Sequence, residues 1–125
     1  MDEKDQQAYK ELQNRMIDTS QKQKFVEQQL RVTQLNMKKA SLTQEELKPV
    51  SDDTNLYEQI GRGYFLKPRQ QLMEQLDAAQ KTGESEIHQL QEQGKSIAKA
   101  RKEVEDELRE LLQHSPALVR SLQGA

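Results

Sequence analysis

The 125-residue sequence predicts a mainly α protein, a long antiparallel two-helix coiled coil with a single central β-hairpin. Three observations carry that expectation. Apolar residues recur in alternating three- and four-residue steps along two long stretches otherwise made of charge and amide, the mark of a coiled-coil seam rather than the broad face of a globular helix. The two stretches are of similar length and flank one segment, Asn55–Pro68, that reads as strand. Composition, finally, withholds a large core. Hydrophobic residues are 33% and charged residues 32%, with 19 glutamines, against roughly 45–50% apolar (Gly included) in ordinary domains. Such a chain is elongated, oligomeric or partly disordered, and five glycines and three prolines are too few for general disorder.

The whole chain reads as one unit. Residues 1–48 hold the first coiled-coil helix and a short helical turn. Asp2, Glu3 and Asp5 put negative charge at a helix N-terminus, where the macrodipole favours it. The seam then runs Tyr9, Leu12, Met16, Thr19, Gln23, Val26, Leu30, Thr33, Met37, Ala40. Thr19, Gln23 and Thr33 weaken it, and Ile17, Phe25 and Leu35 lie just off it as a second, looser face. Ser41 to Thr43 interrupts the pattern, and Thr43-Gln-Glu-Glu46 has capping-box spacing for a new turn that ends before Pro49. Ser51-Asp-Asp-Thr-Asn55 is a polar turn.

Residues 55–67 are the hairpin. Three of the five aromatics, Tyr57, Tyr64 and Phe65, fall here beside Leu56, Ile60 and Leu66. Gly61-Arg-Gly63 between the two runs predicts a loop of about three residues. Apolar residues fall on both faces: Leu56 and Ile60 oppose Tyr57, and Tyr64 and Leu66 oppose Phe65. A strand apolar on both sides is one covered on both sides, and the rest of this chain has nothing with which to cover it. An isolated two-stranded hairpin is marginal in water, and its outer edges are templates for further strands. Other chains are therefore expected to complete the sheet, through Leu56, Tyr57, Ile60, Gly61, Arg62, Tyr64, Phe65 and Leu66.

Residues 68–114 are the second helix, with Pro68 at its first position. Its seam runs Met73, Leu76, Gln80, Gly83, Ile87, Leu90, Gly94, Ile97, Arg101, Val104, Leu108, Leu111. Gly83 and Gly94 each cost about 1 kcal/mol relative to Ala and read as soft spots. Pro116 ends the helix, and residues 115–125 read as a disordered or loosely helical tail. About 40–45 helical residues per arm span roughly 60–65 Å. The hairpin reverses the chain, so the two seams can zip together antiparallel with both chain ends at the far tip.

The remaining chemistry is sparse. Nineteen basic and 21 acidic residues are spread evenly, at 9 to 8 over residues 1–49 and 8 to 10 over 69–125, which leaves no basic footprint for nucleic acid and disfavours a zipper-type DNA binder. Without cysteine there is no disulfide, thiolate nucleophile or zinc–cysteine site. His88 and His114 lie 26 residues apart on one helix, about 39 Å, and cannot share a site. Gly61-Arg-Gly63 lacks the third glycine and the strand–helix context of a phosphate loop. No enzyme activity, cofactor, metal or membrane partner is expected. With no signal peptide and no run of 18 apolar residues, the expected location is cytoplasmic, with a nuclear fraction allowed.

One motif is specific enough to carry a family resemblance. Asp53-Thr-Asn-Leu-Tyr-Glu-Gln-Ile-Gly-Arg62 followed by Tyr64-Phe-Leu66, with Leu42-Thr43 and Leu47 before it and Ile17-Asp18-Thr19 in the first helix, resembles the β-type subunits of prefoldin, the eukaryotic ones most of all. The resemblance covers roughly residues 6–112. In that family a bulky residue usually follows Gly-Arg, where this chain has Gly63. The resemblance implies a heterohexamer of two α-type and four β-type subunits whose hairpins build a double β-barrel platform carrying six coiled coils. It implies an ATP-independent co-chaperone that holds non-native actin, tubulin and other clients at the coiled-coil tips and delivers them to the cytosolic group II chaperonin. Client contacts then fall near the chain ends, on Tyr9, Leu12, Leu108, Leu111 and Leu112. Those residues equally serve to close the seam. Leu112, with Leu118, Val119 and Leu122 of the tail, lies off the seam and is the better placed to face a client. The alternative from another class is a structural coiled-coil adaptor or tether without chaperone activity.

Overall fold

In a computed structural model, which describes residues 3–124, helix α1 spans Glu3–Leu47, strand β1 Leu56–Ile60, strand β2 Gly63–Lys67, helix α2 Arg69–His114 and helix α3 Pro116–Gln123. The fold is mainly α, with two long helices packed as an antiparallel pair and one antiparallel hairpin between them. The chain forms two compact units. One holds the first part of α1, through Gln28, and everything from Gln91 onward; the other holds Gln29–Leu90.

The seams follow the spacing. All ten α1 positions from Tyr9 to Ala40, and all twelve α2 positions from Met73 to Leu111, are buried or half-buried. In the first unit the core is Leu12, Val26, Val104 and Leu118, with Val104 only 1% exposed. Low residue numbers of α1 face high numbers of α2: Arg15 pairs with Glu107 at 2.8 Å and Gln23 accepts from Arg101 at 2.8 Å. The latter contact joins two seam positions that are polar in sequence, so each answers the other and pins the register. Thr19, buried in the same seam, donates to the Met16 carbonyl at 3.0 Å.

In the second unit the antiparallel sense is carried by Gln80, whose amide donates to the Met37 carbonyl at 2.9 Å, and by Gln44, which donates to Asp77 at 2.7 Å. Gln44 and Leu47 are half-buried, so the seam continues past the interruption expected at Ser41 to Thr43. α1 is unbroken there, and Thr43 is not a helix start. Its hydroxyl donates to the Lys39 carbonyl at 2.9 Å, one turn back in the same helix, the bond an interior threonine makes. Continued packing against α2 overrides the local capping signal.

Of the two glycines of α2, Gly83 differs from the expectation of a soft spot. Gly83 is buried, and a Cβ built on it would lie 2.5 Å from Met37 Cγ. Close approach requires the missing side chain at that position. At Gly94 a Cβ would meet Val26 at 3.7 Å, an ordinary contact.

Of the two readings of the tail, disordered or loosely helical, the structure shows the helical one. Residues 116–123 form α3, begun by Pro116 at a position where its missing N–H is harmless. Leu118 is buried at 2% exposure, and the Ser115 hydroxyl donates to Asp5 at 2.9 Å across 110 residues of sequence. Tertiary contact with the start of α1 supplies what an eight-residue helix lacks alone.

Candidate functional site

The hairpin begins at a joint built from backbone ends. The last carbonyls of α1 carry the negative end of its dipole, and no basic residue lies in its last turn. The cation comes instead from α2: Arg69 donates to the Leu47 carbonyl at 2.9 Å, the Lys48 carbonyl at 3.2 Å and the Asp52 carboxylate at 3.3 Å. Pro68 stands one residue before α2, and its carbonyl accepts the first helical bond from Leu72 at 3.2 Å. Sequence reading passed over Arg69. The signal was available, since a cation in the first turn of a helix opposes the dipole and so marks service to another element. Arg69→Met keeps the length and removes the fork. It is expected to lower stability by about 1–2 kcal/mol, read as a fall in the thermal midpoint by circular dichroism.

From that joint β1 and β2 pair in the register Leu56↔Lys67, Tyr57↔Leu66, Glu58↔Phe65, Gln59↔Tyr64, Ile60↔Gly63. Two residues, Gly61 and Arg62, form the loop, one fewer than expected. Gly61 has φ +61° and no non-glycine residue among those described has positive φ. Glycine first and an ordinary residue second is the sign pattern of a type II′ hairpin turn, whose twist matches that of the strands. Gly63 is then the first residue of β2. A Cβ there would come within 3.3 Å of Phe65 Cε2, so the Phe65 ring lies over the space a side chain would fill.

Alternation sorts the side chains. One face holds Leu56, Glu58, Ile60, Gly63, Phe65 and Lys67, with Glu58 and Lys67 ion-paired diagonally across it. The other holds Tyr57, Gln59, Tyr64 and Leu66. Tyr57, Ile60, Tyr64, Phe65 and Leu66 are between 52% and 69% exposed, while Leu56 is half-buried. Both faces therefore present apolar surface to solvent, and the sheet has only these two strands among the described residues. Arg62 is exposed at the loop and has no ion-pair partner among the described residues.

At the other candidate site, where α1 begins and α2 ends, Leu12 is buried, and Tyr9, Leu108, Leu111 and Leu112 are half-buried. A groove of about 380 Å³ runs along Ala8, Leu12, Arg15, Glu107, Leu111 and His114. A second, of about 930 Å³, lies between the first turns of α1 and α3 and is lined by Tyr9, Lys10, Gln13, Leu118 and Leu122 among others. Leu118 is thus interior in the chain by itself, Val119 is half-buried and Leu122 is 42% exposed. The missed element is α3. Ser115-Pro116 is an N-cap and first-position signature, and Leu118, Val119 and Leu122 share one helical face. Off the seam of α1, Ile17, Phe25 and Leu35 are exposed. His88 is exposed, and no three His, Asp or Glu side chains among the described residues come together as metal ligands.

Comparison with known proteins agrees with this architecture. A family model described as prefoldin subunit matches residues 10–115. Prefoldin subunit 1 of Arabidopsis thaliana is 36% identical over 121 residues, covering 97% of this chain and 94% of the relative. Prefoldin subunit 1 of Homo sapiens is 36% identical over 105 residues, 84% and 86% of the two chains. Among solved structures, the prefoldin beta subunit from Thermococcus strain KS-1 superposes with a TM-score of 0.72 at 20% identity, over 83% of this chain and 91% of that one.

Proposed function

This chain belongs to the prefoldin subunit family, and from that premise we propose that it is a β-type subunit of a heterohexameric co-chaperone which captures unfolded actin, tubulin and other clients without ATP and passes them to the cytosolic group II chaperonin. Assembly with other prefoldin subunits goes with family membership. The hairpin is the surface we assign to it. The observation that carries the reading is the hairpin's exposure: three aromatics and two aliphatic residues stand in solvent on both faces of a two-stranded sheet, while both helix seams are closed within the chain. Exposed apolar surface of that kind marks an interaction site, and free strand edges mark β-augmentation as its mode. The tip residues Tyr9, Leu108, Leu111 and Leu112, half-buried in the chain alone, are the proposed client contacts, with Leu12 beneath them. The proposed location is cytoplasmic, with a nuclear fraction allowed.

The test is reconstitution with α-type and other β-type subunits, followed by native mass measurement and by light scattering of denatured actin or tubulin diluted into the complex. A discrete six-subunit species that suppresses scattering equally with and without ATP, and releases client to added chaperonin, is the expected result. A complex that assembles and leaves aggregation unchanged instead supports the adaptor or tether.

A further inference from the structure

We propose that α3 is a lid in cis over the tip of the helix pair, occupying surface that an unfolded chain takes when it binds; the inference rests on the client-holding reading above. α3 is held down by the burial of Leu118, the partial burial of Val119 and the Ser115–Asp5 bond. Eight residues are fewer than the roughly 12–15 at which isolated helices become even marginal in water. Ser115 at its N-cap makes no side-chain capping bond, because its hydroxyl is directed to Asp5 instead. Leu118 is the one buried residue within the helix. Such an element opens locally at low cost while the rest of the fold stays closed.

The hinge is equally defined. Pro116 ends α2 at His114 and starts α3, so a rotation about the bonds joining His114 to Ser115 swings Ser115 and α3 away together, breaking the bond to Asp5 and leaving the α2 seam undisturbed. What opening uncovers is the buried site of one leucine and one aromatic ring, in a groove whose α1 wall is otherwise polar, with Glu3, Gln6, Gln7, Lys10 and Gln13. Leu118 leaves its buried site, and Tyr9, which lines the groove between α1 and α3, loses its neighbour across the groove. α3 itself resembles a client segment: short, with Leu118, Val119 and Leu122 on one face, and carrying a single charge, Arg120. It fills the site as an intramolecular competitor. A client therefore binds only the fraction of molecules whose lid is open, and its apparent affinity falls by that fraction.

The chain contains no cysteine, so Asp5→Cys with Ser115→Cys creates a single thiol pair at the latch. In the reconstituted complex, oxidation of this pair locks α3 down. Two full-length variants open it: Ser115→Glu sets a carboxylate against Asp5, and Leu118→Asp makes the buried site unfavourable for α3. The readout is the concentration of complex that halves aggregation of a denatured client. If the lid is closed about ten to one, the opened variants reach half-suppression at about tenfold lower concentration, whereas the locked form weakens and recovers when reductant is added. A locked complex that holds client as well as its reduced form overturns the lid, as does weaker holding by both opened variants, which makes α3 a client contact. A complex that holds no client in wild type or any variant overturns the holdase reading, and the lid with it.

Discussion

Tyr64→Asp or Phe65→Asp abolishes assembly with partner subunits and leaves the isolated chain as helical and as stable as the unsubstituted one. The two halves of this expectation have one cause. Tyr64 is 69% and Phe65 52% exposed in the chain by itself, so a carboxylate at either position stays hydrated in the free subunit. In a completed sheet the same carboxylate has no partner, and an unpaired charge taken out of water costs about 3–5 kcal/mol, roughly 10²–10⁴-fold in association. Phe65→Asp also removes the ring above Gly63, so Tyr64→Asp is the cleaner of the two. Circular dichroism of the lone chain and native mass of the reconstituted mixture check both halves. A complex of unchanged mass would place the assembly surface elsewhere.

Gly83→Leu destabilises the helix pair by about 1–3 kcal/mol, and Gly94→Ala stabilises it by about 0.5–1 kcal/mol. Both replace a helical glycine at a seam position and so gain the same propensity. They differ in what the new atoms meet. At Gly83 even a Cβ falls 2.5 Å from Met37 Cγ and 2.8 Å from Met37 Sδ, so the methionine must leave its place before a leucine can enter. At Gly94 the Cβ finds Val26 at contact distance and fills space. Met37→Ala in the Gly83→Leu background is expected to recover part of the loss, because it vacates the volume in conflict. Thermal unfolding of the four chains forms the test, and equal effects of the two glycine substitutions would contradict it.

Met37 also shows why the role of Gly83 is not legible in sequence. Periodicity identified both glycines of α2 as seam residues, but the distance between two helices is set jointly by side chains on each, and a single sequence does not pair Gly83 with Met37. The same holds for Gln23 and Arg101. Each looks like a defect in its own seam, and only their meeting at 2.8 Å makes either a satisfied group.

What the sequence determined alone is whatever depends on local period and composition. The 3-4 spacing located both seams residue by residue. The strand-forming run around Gly61-Arg-Gly63 placed the hairpin and its two-faced apolar character, and the shortage of hydrophobic residues ruled out a core that could cover it. Tertiary structure decided the rest. The seam's continuation through Gln44 and Leu47 carried α1 past a plausible cap at Thr43. Arg69 took the end of α1 as its ligand. Pairing of Ile60 with Gly63 shortened the loop to two residues. The tail became a helix because Asp5 and the first turns of α1 lie beside it. In each case the deciding contact joins residues far apart in the chain or across strands, and its free energy outweighs a local preference of about 1 kcal/mol or less.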